Sequence, residues 1–326
     1  MINWLAKLND AWIDLLHVAP VARLYRTKLL SAEVSLNILV AVRATDNAPC
    51  LILQTSVAPH ALFELGGMRF QLISDDTGTL LVLSLEDDSR RDLFSTICAD
   101  VVAAASQEDD IEALDQFLAR LDAWRQFLRD CRSGLSRSDT IGLIGELLVL
   151  EQLLSISSKH LSTWQAPNDG LHDFHRDGHA LEAKTSLGPA SSITISKLDQ
   201  LDTSGLRRLD LLNVRLIEAP EGRSLQNIIT TIAERLPDEG ARRTFKNALL
   251  RRGLMPDDNA ALLTPKVELR TIVTYTVSQN FPRLVRMNLP IAITEASYTL
   301  DVRSLAPFSI DTDSTIDTFV KETIHE

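Results

Sequence analysis

Asp173, Glu182 and Lys184 flank an Asp-Gly dipeptide in the run His172-Asp173-Phe174-His175-Arg176-Asp177-Gly178-His179-Ala180-Leu181-Glu182-Ala183-Lys184-Thr185-Ser186. Two carboxylates beside an amine can hold a divalent cation and activate a water for attack on a phosphodiester. Asp-Gly between two short strand-like runs is a strong signal for a two-residue hairpin of the mirror-image type. Counting outward from that turn sets Arg176 opposite His179, His175 opposite Ala180, Phe174 opposite Leu181 and Asp173 opposite Glu182. The two carboxylates would then stand with Cβ atoms roughly 5 Å apart, which is destabilising unless positive charge sits between them. Lys184 falls on the same face as Glu182, about 6.7 Å along the strand.

The elements that must position this hairpin begin with a helix over 140–155, capped by Ser138-Asp139 and carrying Gly142-Leu143-Ile144-Gly145-Glu146. Each interior glycine costs roughly 1 kcal/mol relative to alanine, so close approach of the helix to another backbone is the expected reason. Leu143, Leu147, Leu150 and Leu154 surround Glu146, which therefore either lies at the periphery or faces a polar centre. Taken singly, each of these residues has an ordinary reading. Glu146 is a common helix glutamate, and Glu182 with Lys184 can be a surface ion pair on an edge strand. Their conjunction is what ordinary surface placement does not explain.

Upstream, the pattern is one or two short helices over 1–30, then strands over 34–42, 51–57, 69–73 and 80–85. Turn signals at Asp46-Asn47-Ala48-Pro49, Gly66-Gly67 and Asp75-Asp76-Thr77-Gly78 separate the strands. A helix over 91–105, a break at Glu108-Asp109-Asp110 and a helix over 111–132 follow, the last with Leu114, Phe117, Leu118, Leu121, Trp124 and Leu128 at helical spacing. Around the hairpin, strands are expected at 163–165, 193–196 and 209–217, with a short helix at 197–206. The last third predicts helices over 225–236 and 239–251, strands over 270–277 and 298–302, and a short helix or frayed tail from Asp311.

At 326 residues the chain is long enough for two or three cored domains, and 45% hydrophobic with 24% charged residues is the composition of a globular protein. No run of about 18 apolar residues appears, and the first twenty positions mix Lys7, Asp10 and Asp14 into the apolar pattern, unlike a secretion signal. Cys50, Cys98 and Cys131 are far apart, which fits a reducing cytoplasm and argues against a cysteine-built zinc site. His172 and His175 would point to opposite strand faces, so a zinc site among His172, His175 and His179 is not expected; His175 shares the Asp173 face. A net charge of −11 speaks against indiscriminate nucleic-acid binding, though a nuclease need only be basic locally. Arg207-Arg208, Arg242-Arg243 with Lys246, and Arg251-Arg252 read as solvated helix and turn faces.

The chain resembles the PD-(D/E)XK nuclease superfamily, and most closely a bacterial family of functionally uncharacterised proteins grouped under that name. The resemblance is carried by Gly142-Leu143-Ile144-Gly145-Glu146-Leu147, Trp164, Pro167, His172-Asp173-Phe174 and Leu181-Glu182-Ala183-Lys184-Thr185-Ser186. Ile195-Ser196, Gln200-Leu201, Phe281-Pro282-Arg283 and Tyr298 extend it over most of the chain. His172 stands where the superfamily name would put proline.

The resemblance implies an α/β fold: a restriction-endonuclease-like core, a mixed sheet flanked by helices, over 138–220. It would be preceded by an N-terminal α+β module (1–110) and a connecting helix (111–137), and followed by a C-terminal α+β extension (221–326). It further implies that Asp173 and Glu182 ligate Mg²⁺, with Mn²⁺ able to substitute, and that Glu146 supplies another ligand. Lys184 would orient or help deprotonate the attacking water. Gln200 would touch the phosphate or orient Lys184, although a helix-surface glutamine accounts for it equally well. The implied function is a metal-dependent DNA endonuclease of bacterial antiphage or restriction defence, cytoplasmic and away from membranes, working with ATPase or methyltransferase partners or as a homodimer. A catalytically silent nuclease-like subunit that binds DNA or partner proteins is the alternative, and RNA is a further candidate substrate.

Overall fold

Short apolar runs punctuated by turn residues, as between positions 25 and 85, are too brief for stable helices and satisfy their backbones by pairing side by side. The computed structural model describes residues 2–18, 23–31, 34–55, 62–75, 78–106, 110–130, 135–256 and 265–321. It divides into two compact units, Met1–Ser133 and Gly134–Glu326.

In the first unit, helix α1 (Trp4–Leu16) precedes strands β1 (Tyr25–Leu29), β2 (Ile38–Arg43), β3 (Pro49–Gln54), β4 (Phe63–Leu65), β5 (Met68–Asp75) and β6 (Gly78–Leu85). The strands form an antiparallel sheet in the order β1-β2-β3-β6-β5-β4. One or two short helices were expected over 1–30, and α1 is one of them. Where a second would lie, Tyr25–Leu29 is an edge strand, because pairing with β2 satisfies backbone groups that so short a helix could not. Helices α2 (Arg91–Ala105) and α3 (Asp110–Asp130) complete the unit. α3, read from sequence as a connector, packs on α2 through Asp100, which accepts from Arg120 Nε at 2.6 Å and Trp124 Nε1 at 2.7 Å. The Glu108-Asp109 part of the expected break, the middle of the Asp75–Gly78 turn and Cys131 lie outside the described residues.

The second unit starts with α4 (Arg137–Ile156). Its cap is Ser136, not the expected Ser138-Asp139: the Ser136 hydroxyl accepts from the Asp139 N–H while the Asp139 carboxylate accepts from the Ser136 N–H. β7 (Phe174–Arg176), β8 (His179–Leu187), β9 (Ser192–Ile195), β10 (Arg208–Arg223), α5 (Leu225–Arg235), α6 (Glu239–Arg251), β11 (Val267–Thr276), β12 (Tyr298–Asp301), β13 (Ser309–Ile310) and α7 (Thr312–Lys321) follow. The main sheet runs β13-β11-β10-β8-β7. β8 and β10 are parallel and the other neighbours antiparallel, while β9 and β12 pair separately. This mixed sheet flanked by helices is the fold class expected from sequence. Two expectations fail locally. The strand at 163–165 is a 3-10 turn (Ser158–Thr163) followed by a single bridge, Trp164 to Phe174, and the helix at 197–206 shrinks to a 3-10 turn, Leu198–Leu201.

Period-two alternation along the central strands feeds two cores. Leu181, Leu212, Val214 and Leu216 pack with α4, α5, α6 and α7 on one side of the sheet. Ala180, Leu209 and Leu211 pack with Ile193, Ile195, Leu201, Phe281 and Leu300 on the other. α4 is apolar nearly all round and is correspondingly sunk in the unit, with buried residues on every face.

Candidate active site

The Asp177-Gly178 turn forms as the dipeptide requires: both residues have positive φ, 49° and 78°, the geometry of a mirror-image type I turn. Arg207 pins it, donating from Nε to the Asp177 carbonyl at 2.8 Å. The ladder follows the counted register, with Arg176 opposite His179, His175 opposite Ala180 and Phe174 opposite Leu181. There β7 stops. The Asp173 carbonyl turns away to accept from the Gln165 and Ala166 N–H groups, at 2.8 and 3.2 Å. β8 runs on to Leu187, so beyond Leu181 its β7-side edge has no strand partner among the described residues. Asp173 fills the first gap with its side chain, accepting from the Ala183 N–H at 2.8 Å.

Side chains from both faces of the sheet converge at this bare edge. Glu182 and Lys184 share a face, and Lys184 Nζ lies 2.8 Å from Glu182 Oε1. From the opposite face α4 brings Glu146, and Gly145 makes the approach possible: a Cβ there would stand 1.8 Å from Thr185 Oγ1. Gly142 has open space around it and lines the cleft, so close approach explains one of the two helix glycines and not the other.

Glu146, Asp173, Glu182, Lys184 and Gln200 all line one cleft of about 920 Å³. Six acidic side chains (Asp139, Glu146, Asp169, Asp173, Glu182 and Asp199) and three basic ones (Lys184, Lys197 and Arg252) face it. Glu182 is 2% exposed and Glu146 5%, so the edge-strand surface pair that Glu182 and Lys184 might have been is not what forms. Burial, then the charge of Asp173, pushes Glu182 up to about 8 and Glu146 up to about 7. Burial raises Asp173 as well, partly offset by the Ala183 N–H, Lys184 and Arg252.

Some neighbours were legible only after folding. Trp164 Nε1 donates to Glu146 Oε2 at 3.1 Å, and Arg252 pairs with Oε1. Arg252 is therefore not part of a merely solvated turn face, and neither is Arg208, which holds the buried Asp210 at 2.6 Å. Arg252 offered no local signal, being 106 residues from Glu146. Asn213 reaches the cleft because β10 sets it beside Lys184 in parallel register. Gln200 spends its carbonyl oxygen on its own turn, accepting from the Ser196 N–H at 2.9 Å and the Lys197 N–H at 3.3 Å. Arg283 anchors that turn through the Leu201 carbonyl and Thr203 hydroxyl.

The three histidines go to different places. His179 is fully buried against Asp210, with Nε2 and Oδ2 2.8 Å apart. His172 is buried, bonded to the Gln200 backbone and held below the usual histidine range by burial. His175 is exposed and lines a separate hollow with Lys159, His160 and Arg176, so it does not support the carboxylates.

The buried Glu146 and Glu182 and the half-buried Asp173, whose charge raises the proton affinity of both glutamates, form an all-oxygen donor set that fits a hard divalent cation. Among the described residues no group of three acidic, histidine or cysteine side chains already converges to hold a metal ion. In this arrangement Glu182 is engaged by Lys184, and Glu146 by Trp164 and Arg252. No described helix is long and apolar enough to cross a membrane. A family model described as "Putative PD-(D/E)XK family member, (DUF4420)" matches residues 8–303. No curated protein and no solved structure matches the chain.

Proposed function

The chain belongs to this PD-(D/E)XK family, and from that premise we propose that it is a metal-dependent endonuclease that hydrolyses DNA phosphodiester bonds. The observation that carries the reading is the meeting of Glu146, Asp173 and Glu182 with Lys184 at the unpaired edge of β8, in one open cleft. A fold needs no such cluster: burying carboxylates together costs stability, and clusters of this kind belong to sites where the charge is used.

In the proposed site Asp173 and Glu182 hold Mg²⁺, or Mn²⁺ in its place, and Glu146 adds a ligand directly or through water. The bound ion would supply Lewis acidity toward the phosphate and a more acidic water. Lys184, beside Glu182, would orient or help deprotonate the attacking water and stabilise charge on the phosphate. The Ala183 N–H holds Asp173 in its rotamer, and the Trp164 N–H does the same for Glu146. Gln200, fixed by its turn, lines the same cleft and would touch the phosphate or orient Lys184. An antiphage or restriction role, with ATPase or methyltransferase partners or a second copy of the chain, is part of the same proposal.

The test is cleavage of duplex DNA with and without Mg²⁺ or Mn²⁺. Lys184→Ala and Asp173→Ala should each lower the rate by at least about 100-fold. If the protein never cuts, alone or with candidate partners, and both substitutions are silent in a phage-protection assay, the catalytic reading gives way to a nuclease-like binding subunit.

A further inference from the structure

Glu146 has two partners of different kinds. Trp164 is buried, with its ring centre 6.1 Å from that of Phe245, and its bond to Oε2 ties the carboxylate to the core. Arg252 takes Oε1 from the cleft side, with about a third of its own side chain exposed (32%). The backbone beneath Arg252 is fixed. Its N–H bonds the Ala248 and Leu250 carbonyls at the end of α6, and the adjacent Arg251 holds Asn168 Oδ1 at 2.8 Å. Release of Glu146 would therefore need a change in the Arg252 side chain alone, with the end of α6 left in place.

We propose that Arg252 is a latch that occupies the cation-facing oxygen of Glu146 until a divalent cation arrives, and then turns to grip a substrate phosphate in the same cleft. The proposal rests on the nuclease reading. With Oε2 already accepting from Trp164 on the core side, Oε1 is the oxygen turned to the cleft, and a cation placed there would meet the positive charge of the Arg252 guanidinium across a single oxygen, so the two repel. Once displaced, Arg252 stays anchored at the cleft wall and presents a planar donor fork suited to phosphate. The cleft needs such a group, because its acidic side chains outnumber its basic ones six to three and would otherwise repel a polyanion. Coupling is reciprocal: the cation frees Arg252, and whatever draws Arg252 away tightens the cation.

The test compares wild type, Arg252→Ala and Arg252→Lys by Mn²⁺ titration calorimetry and by binding of a short duplex in Ca²⁺ over a salt series. Arg252→Ala should bind Mn²⁺ about five- to tenfold more tightly, since the competing cation is gone. It should also bind duplex more weakly, with the slope of log K against log salt reduced by about one. Arg252→Lys keeps the charge without the fork and should fall between the two on duplex. Arg252→Gln serves the same comparison if the alanine variant does not fold. Unchanged or weaker Mn²⁺ binding in Arg252→Ala, or an unchanged salt slope, overturns the latch. If wild type binds Mn²⁺ through Asp173 and Arg252→Ala merely matches it, the latch falls and the nuclease reading stands. If no form binds Mn²⁺, both fall.

Discussion

The N-terminal unit and the cleft of the second unit treat low-exposure carboxylates in opposite ways. In the N-terminal unit Asp100 has Arg120 at 2.6 Å, and Glu86 has Arg43, which it shares with Asp46, at 2.8 Å. The Arg43 guanidinium holds Glu86 below the usual glutamate range. In the cleft of the second unit burial holds Glu146, Asp173 and Glu182 above their usual ranges, and the charge of Asp173 adds to the rise of both glutamates. One arrangement lowers the energy of the metal-free fold, and the other raises it at neutral pH. A chain that pairs its buried carboxylates in the N-terminal unit, and Asp210 and Glu151 in the second, yet crowds three at the cleft retains that cluster for something other than stability.

The contrast can be broken by mutation. Arg120→Ala should cost about 3 kcal/mol, because it leaves Asp100 under-compensated at the α2–α3 contact. Urea unfolding followed by Trp124 fluorescence reads this, and a cost under about 0.5 kcal/mol would mean the N-terminal pair contributes little.

A smaller effect sharpens how the crowding is imposed. Gly145→Ala should cost about 2 kcal/mol by forcing α4 off Thr185, and Thr185→Ala in the same chain should restore much of it. Gly142→Ala, with nothing near its Cβ, should instead gain up to about 1 kcal/mol. Equal effects at the two glycines would show that α4 is not held against β8 as described.

The smallest effect is the dependence on pH, and its sign differs between the units. Glu182 rises from 4.5 unfolded to about 8 folded, so its contribution to metal-free stability is present below pH 4.5 and lost as pH climbs to about 8. Glu86 is lowered, so its contribution is present above pH 4.5 and lost in acid. Glu182→Gln should therefore raise metal-free stability at pH 8 by about 1 kcal/mol and flatten the fall between pH 5 and 8. It should also abolish the melting-temperature gain that Mn²⁺ confers on wild type. A Glu182→Gln protein less stable than wild type at pH 8 without metal would contradict the crowding.

Much of the hairpin was legible because its determinants are local. Asp177-Gly178 permits the positive φ pair, the turn sets the register, and period two places Lys184 on the Glu182 face. Helices with strong periodicity, α2 and α6, fall on the expected residues for the same reason. Counting could not show that β7 begins only at Phe174, leaving Asp173 outside the ladder, because that depends on Gln165 and Ala166 drawing the Asp173 carbonyl away. Nor could it show that Gln200 is spent on its own turn, since no periodicity describes a side chain folding back on nearby backbone.

The sequence by itself determined that Glu182 and Lys184 share a face beyond a two-residue turn; the counted pairing of Asp173 with Glu182 does not form, because the ladder stops at Phe174 and Leu181. Turn chemistry and strand pleat act over a few residues and need no distant partner. Only the tertiary structure decided that these groups would be buried beside Glu146 and that Arg252 would close over it. Those contacts span long stretches of chain and depend on where α4 and α6 come to rest against the sheet. Burial then turned a row of ordinary carboxylates into a cluster with raised proton affinity, because a charge is costly only where water has been removed.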